Sequence, residues 1–379
     1  MNSKWEYRKI GDVCIVERGG SPRPIDQYIT NDANGINWIK IGDTSESMYI
    51  TETAQKIKPE GMKKSRYVQP GDFLLSNSMS FGRPYILKTD GCIHDGWLVL
   101  RDKNSFFDKR FLYYYLSAKP TYEKFKMIAV GGVVNNLNSE MVRKISVPVP
   151  CKAEQIEIAN LLDIVNRIIL KRKQTLQKLD ELVKARFVEM FGDRYVNDKN
   201  WNTTKLGNSI SFNNGKAHEQ IVDENGEYIL VTSRAIASNF KDVRRTNELL
   251  SPLRKDDIVM VMSDVPNGRA LAKCQLIKDN NKYTLNQRIC SFDNYNYNPV
   301  FLLFLLSRHP YFLSFNDGNG QTNLRKNDIL DCELIDPPIE LQEQFADFVS
   351  QVDKSKVAVQ KSLDEAQLLF DSLMQQYFG

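Results

Sequence analysis

The chain repeats itself, and an internal repeat constrains architecture more tightly than any single motif. Trp5 opens WEYRKIGDVCIVERGG, and Trp201 opens WNTTKLGNSISFNNGK. PGDFLLSNS at 70–78 resembles KDDIVMVMS at 255–263, and FLYYYLSAKP at 111–120 matches FLLFLLSRHP at 301–310. NNLNSEMVRKISVPVP at 135–150 then matches TNLRKNDILDCELIDPP at 322–338, and the copies close on MFG at 190–192 and YFG at 377–379. Each copy reads as one globular lobe followed by one long helix, with different insertions in the two lobes. A length of 379 residues is too great for one compact core and suits two such units.

The lobes read as mixed α and β. WIKIGD (38–43), DFLLSNS (72–78), GWLVLR (96–101), YILVTS (228–233) and DIVMVMS (257–263) are short, apolar runs bounded by Gly, Pro, Asp or Asn, as strands are. FLYYYLSA and FLLFLLSR suit short buried helices, with a strand as the alternative. Pro148 and Pro150 close the first lobe, and Pro337 and Pro338 the second, where proline fits a strand exit and the first turn of the next helix.

Those next helices carry apolar residues at alternating steps of four and three. The first seam runs Ile158, Leu162, Val165, Ile169, Leu176, Leu179, Val183 and Met190, interrupted by Arg172 and Arg186. The second runs Phe345, Val349, Val352, Val359, Leu363, Ala366, Phe370, Leu373 and Tyr377, interrupted by Lys356. A sustained period of 3.5 is a coiled-coil seam, and each helix is the obvious partner of the other; packing of each helix on its own lobe is the alternative. The arginines would set register or bind a partner, or their stems would snorkel at the seam edge. Repeats related by an approximate two-fold axis would make the helices antiparallel, with a lobe at each end. At 1.5 Å per residue, Glu154 to Met190 would extend roughly 55 Å, enough to hold two lobes about one turn of B-DNA apart. The expected fold class is thus α+β: two pseudo-symmetric mixed α/β domains separated by a long antiparallel two-helix coiled coil.

Charge favours a polyanionic partner. The net charge is +4, yet residues 154–193 balance seven Lys/Arg against seven Asp/Glu, and residues 340–379 carry three Lys against seven Asp/Glu. The basic excess therefore sits in the lobes, which suits DNA but also fits a generic basic surface. Cys14, Cys92, Cys151, Cys274, Cys290 and Cys332 are scattered without a CxxC pair, and His94, His218 and His309 form no ligand pattern, so no metal site is expected. No apolar run is long enough to span a bilayer, and MNSKWEYRKIGD lacks an apolar signal core, so a cytoplasmic location is expected.

Catalytic patterns are missing. Gly215–Lys216 is followed by Ala217, which spoils a phosphate-binding loop, and no HxE with CxxC occurs. No Asp-x-Lys or Glu-x-Lys triplet is present, and Asp336–Pro337–Pro338 is followed by Ile339 where an adenine methyltransferase needs an aromatic ring. The lone His94–Asp95 pair reads as structural.

PVPCKAEQIEIANLLD (148–163), MFGDRYVNDKNW (190–201), PPIELQEQFADFV (337–349) and SLMQQYFG (372–379) resemble the conserved spacers of type I restriction-modification specificity subunits. Cys151–Lys152 departs mildly from the usual proline and hydrophobic residue. The resemblance covers essentially the whole chain. It implies target recognition domains at 1–150 and 194–337 and helical spacers at 151–193 and 338–379. It implies a non-catalytic chain that reads a bipartite double-stranded DNA site. Two methyltransferase subunits and two restriction motor-nuclease subunits would be its partners, and S-adenosylmethionine, ATP and Mg2+ would belong to them, with no cofactor held by this chain. A coiled-coil scaffold without DNA, or a nuclease with an unfamiliar site, are the rival readings.

Recognition loops diverge, so candidate DNA contacts are ranked by side-chain chemistry: Arg for guanine, Asn and Gln for adenine, Lys and Ser for phosphates. The first lobe offers Arg18, Ser21, Arg23, Asn77, Arg83, Asn135 and Asn136. The second offers Lys216, His218, Ser233, Arg234, Asn267, Arg269, Gln321, Asn323 and Arg325.

Overall fold

A computed structural model describes residues 5–77, 82–129, 136–193, 196–218, 220–265 and 268–379. The chain divides into two units, one of residues 1–173 with 361–379 and the other of residues 174–360. The division cuts both long helices, Lys152–Phe191 and Ile339–Phe378, so each unit is a lobe plus half of each helix.

In the first unit a five-stranded sheet runs Cys14–Arg18, Trp97–Asp102, Phe73–Ser76, Pro84–Leu87, Tyr49–Ile50. A second five-stranded sheet runs Ile29–Thr30, Gln55–Ile57, Ile36–Ile39, Gly91–Ile93, Arg66–Val68. The strand Trp97–Asp102 shows why its run is continuously apolar. Leu98 and Leu100 face the cluster that holds the helices, while Trp97 and Val99 face a second cluster with Ile39, Leu74 and Ile93. A strand covered on both faces loses the alternation of a half-exposed one.

The second unit keeps a shorter version. Its main sheet runs Ser211–Asn214, Ile289–Asp293, Ile258–Val261, Cys274–Leu276, and a three-stranded sheet runs Arg244–Thr246, Tyr228–Val231, Tyr283–Leu285. Ile258 and Met260 face the helical cluster, and Val259 and Val261 the other. The short apolar segments are helices, Lys109–Ser117 and Pro299–Leu306, capped by the side chains of Asp108 and Asn298. Both proline exits follow short strands, Ser146–Pro148 and Glu333–Ile335, which pair with Tyr7–Lys9 and Thr203–Lys205.

The helices pair antiparallel within each unit. In the first unit Val165 and Ile169 pack against Leu363, Ala366, Phe370 and Leu373. Ile158 and Leu162 continue that seam into the lobe core, where Phe378 also lies. In the second unit Leu179, Val183 and Met190 share a core with Phe345, Val349 and Val352. The two expected packing schemes therefore coexist, because seam and lobe core are continuous. One correction concerns register. At the end of the first helix the fully buried residues are Phe187 and Phe191, while Arg186 and Met190 are only partly buried. Leu176 and Val359 are partly buried and lie outside the core clusters. Lys356 Nζ reaches Asp180 at 2.7 Å and Asp353 at 3.4 Å. The Arg186 guanidinium lies over Phe348 and bonds Glu189 through Nη1, while its buried Nε finds no hydrogen-bond partner among the described residues.

Matched hydrogen bonds join each long helix to its lobe. Gln155 Nε2 donates to Pro150 O and Phe106 O at 2.9 Å each, and its Oε1 accepts from Asp108 N at 2.7 Å. Gln342 Nε2 donates to Pro337 O at 2.8 Å, and its Oε1 accepts from Asn298 N at 2.9 Å.

The chain ends share one core. Trp5 and Phe378 both pack on Phe111, with ring centroids 6.0 Å and 5.5 Å away. A circular permutant opened within residues 196–200, with Gly379 joined to Met1 by a short flexible linker, is therefore expected to keep its helical circular dichroism and a cooperative melt. A permutant without cooperative unfolding would show that segment order, rather than this shared core, sustains the fold.

Candidate nucleic-acid interface

In each unit one tight turn lies at the centre of the nominated loops. In the first it is His94–Asp95–Gly96, between the strands Gly91–Ile93 and Trp97–Asp102; in the second it is Asn286–Gln287–Arg288, between Tyr283–Leu285 and Ile289–Asp293. Both turns are surrounded by the same backbone bonds. Gly19 N donates to Trp97 O at 2.9 Å and Gly20 N to Ile93 O at 3.1 Å; Gly215 N donates to Ile289 O at 3.1 Å and Lys216 N to Leu285 O at 3.0 Å. On the other side Asn77 N donates to Gly96 O at 3.0 Å, and Met262 N to Arg288 O at 3.1 Å. A third segment joins behind each: Leu137 N to Asn77 O at 3.0 Å, and Leu324 N to Met262 O at 2.8 Å. A Cβ on Gly19 would stand 2.1 Å from His94 O, and one on Gly215 would stand 2.1 Å from Asn286 O. Both positions therefore need glycine for close backbone approach.

Side chains differ on this shared frame. In the first unit Asp95 collects the loops: Ser21 Oγ donates to Oδ1 at 2.8 Å and Arg23 Nη2 lies 3.4 Å from Oδ2. Its carbonyl oxygen accepts from Arg18 Nε at 3.1 Å and Asn77 Nδ2 at 2.9 Å. The Ser21 hydroxyl holds the Asp95 carboxyl below its ordinary range, against a smaller opposing effect of burial. Burial pushes the His94 imidazole down, so the ring favours its neutral form. Arg23, Lys40, Gln55, His94 and Asp95 line a cleft of about 890 Å³ floored by the buried Trp38, and Lys40 Nζ donates to Gln55 Oε1 at 2.8 Å.

A sequence model described as the type I restriction modification DNA specificity domain matches residues 2–181 and 198–366. The chain belongs to this family. The type I restriction enzyme MjaIX specificity subunit of Methanocaldococcus jannaschii is 22% identical over 404 residues, covering 98% of this chain and 91% of the relative. Among solved structures, the S subunit of a type I restriction-modification system from M. genitalium aligns with a TM-score of 0.58 at 15% identity, covering 100% of this chain and 97% of the other. A chain from a study of complex assembly and conformational transition of the type I R-M system aligns at 0.63 and 13% identity, covering 100% and 98%. The chain is thus a specificity component rather than a catalytic one, and its two-domain α+β fold is that of the family.

For a specificity chain the nominated residues sort clearly. Arg18, Ser21 and Arg23 cluster at the first turn, Arg83 is exposed beside Ser76, and Asn136 precedes Leu137. Lys216 is exposed beside the second turn. Gln321 Nε2 donates to Ser263 Oγ and to Asn323 Oδ1 on the paired strands Ser263–Asp264 and Thr322–Asn323, and Arg325 is exposed just beyond. Ser233 and Arg234 follow the strand Tyr228–Val231, whose Val231 O accepts from Asn286 N, and Arg234 lies 3.7 Å from Asp242. Arg269 is exposed. Two nominations are corrected. His218 is buried with Nδ1 2.7 Å from Lys216 O and Nε2 2.9 Å from Thr284 Oγ1, and Asn77 is buried with its amide on Asp95. Both brace the loops from inside instead of reaching outward. Asn135 and Asn267 lie outside the described residues. Lys40, Gln55, Gln287 and Arg288 also lie at the cleft or the turns without standing out in the sequence, and Asp95 reads there only as half of a structural pair. For the turn residues the signal was positional: 94–96 and 286–288 align once the flanking strands of the two repeats are matched. Among the described residues no His, Cys, Asp and Glu grouping suits a metal ion, and no helix is long and apolar enough to cross a membrane.

Proposed function

We propose that this specificity chain reads a split double-stranded DNA target, one half-site per recognition domain, and presents it to two methyltransferase subunits that modify adenine N6. Two restriction motor-nuclease subunits complete the restricting assembly, in the cytoplasm. S-adenosylmethionine, ATP and Mg2+ are held by those partners, and this chain contributes recognition alone. The observation that supports this reading is the pair of turns, held by matched backbone bonds yet carrying different side chains. A duplicated frame with divergent reading groups is what two unlike half-sites require, and the lobes carry the basic excess that attracts a phosphate backbone.

Methylation mapping tests it. The chain is expressed with its methyltransferase subunit in a host lacking adenine methylation, and modified adenines are located genome-wide. The expected result is a two-part motif with a constant gap, in which one part changes when one lobe is exchanged. A stable complex that methylates nothing would favour a scaffold, and cleavage of DNA by this chain with magnesium alone would favour a nuclease.

A further inference from the structure

The central turns carry reading chemistry that neither the loop ranking nor the family match assigns. Four segments converge on each turn in the same way. Two have been given on either side; a third follows a strand of the second sheet, where His94 N lies 3.5 Å from Ile39 O and Asn286 N lies 3.2 Å from Val231 O. The fourth is the segment behind, through Leu137 and Leu324. Any ligand that touches these loops together meets the turn among them. The two copies of the turn also differ in charge: His-Asp-Gly in one, Asn-Gln-Arg in the other.

Asp95 is an odd residue for a surface that meets phosphates, because a carboxylate repels them. Its side chain is 40% exposed, and Ser21 and Arg23 occupy only part of the four lone-pair sites of a carboxylate. A partly free carboxylate there can accept from an exocyclic amino group, the pattern that cytosine N4 and adenine N6 present in the major groove. On the other lobe the turn carries Arg288, at the place of Gly96, with Gln287 at the place of Asp95. Arg288 is exposed, its backbone is fixed by Met262 N on its carbonyl and by Asn286 Oδ1 on its amide, and among the described residues its guanidinium pairs with no carboxylate. A guanidinium on a rigid backbone suits the O6 and N7 acceptors of guanine.

We infer that Asp95 and Arg288 are specificity-determining residues, Asp95 accepting from an amino-bearing base in one half-site and Arg288 reading a guanine in the other. This inference rests on the proposed reading of split DNA, and the test separates the two. The wild-type complex with its methyltransferase subunit is mapped first, then Asp95→Ala, Arg288→Ala and Arg288→Lys. Each alanine variant is expected to lose about tenfold or more of its discrimination at one base pair of one half-site only. Arg288→Lys keeps the charge and is expected to lose guanine preference while retaining DNA affinity. A further variant exchanges the whole turn, placing Asn-Gln-Arg at 94–96. Gly96 alone could not take a side chain, since its Cβ would stand 2.2 Å from the His94 ring, but the joint exchange removes that ring. The exchange is expected to shift one base preference in the first domain's half-site and leave the other half-site unchanged. If the wild type yields no split motif, the functional reading itself fails. If it yields one and these variants keep both half-sites intact, or weaken every position equally, the turns do not read bases and the inference is wrong.

Discussion

Phe191→Ala is expected to destabilise the second unit by about 3–5 kcal/mol, the range for truncating a large buried aromatic side chain. Phe191 is fully buried, with ring centroids 5.1 Å from Phe187, 4.8 Å from Phe301 and 5.7 Å from Phe345. It therefore joins three elements: its own helix, the short helix Pro299–Leu306, and the second long helix. Removing the ring opens a void that none of them can close without moving the others. Met190→Ala is expected to cost well under half as much, because Met190 is only partly buried. Two units need not unfold together, so the readout should isolate one. Trp201 is the sole tryptophan of residues 174–360, and its indole Nε1 donates to Phe191 O at 2.9 Å. Its fluorescence through a urea titration reports the right transition. Equal losses for the two alanine variants would refute the register in which Phe187 and Phe191, and not Arg186 and Met190, face the core.

That register shows where sequence reasoning reaches and where it stops. The repeat, the apolar core strands, both short helices and most of each seam were legible, because burial on a fixed period leaves a trace in residue type, although the 38–43 run is strand only through Ile39 and then makes a helical turn. The strict 3.5-residue step failed at the end of the first helix because the partner surface changes there. Beyond Val183 the helix leaves a narrow helix–helix seam and enters an aromatic lobe core, whose wider contact selects Phe187 and Phe191 over the heptad positions. The interface was legible only as loops. Arg18, at the end of a strand, gathers with Ser21 and Arg23 at the first turn, whereas His218 and Asn77 share that polar chemistry and point inward. Nothing in a polar residue's identity tells whether its partner is a ligand or the next loop's backbone. In the sequence Asp95 reads only as half of a structural His94–Asp95 pair and Arg288 does not stand out, because both lie in turns too short to read as loops and the convergence on those turns comes from long-range backbone bonds.

Gln155→Leu tests the device that fixes the first long helix to its recognition domain. The side chain is fully buried and makes three hydrogen bonds, all to backbone groups: Phe106 O, Pro150 O and Asp108 N. Leucine fills similar space but satisfies none of them, and each buried group left unpaired costs about 1–3 kcal/mol. A loss of about 3–9 kcal/mol in the first unit follows if all three groups stay dry, and less if water enters. Gln342→Leu breaks two such bonds and is expected to cost less in its own unit. Gln155→Glu separates geometry from hydrogen-bonding sense. One glutamate oxygen still accepts from Asp108 N, but the other replaces a donor and faces two carbonyl oxygens. Burial and those carbonyls disfavour the charged form, so the folded-state pKa lies above the unfolded value of about 4.3. The protonated acid restores one donor. Part of the lost stability is therefore present below pH about 4.3 and disappears as pH rises through the folded-state pKa. Measured against wild type at each pH, Gln155→Glu should show its largest deficit at neutrality and a smaller one in acid, while the deficit of Gln155→Leu stays flat. A pH-independent deficit for glutamate would mean that the side chain swings out to solvent, and that the helix can be held to the lobe without this bond set.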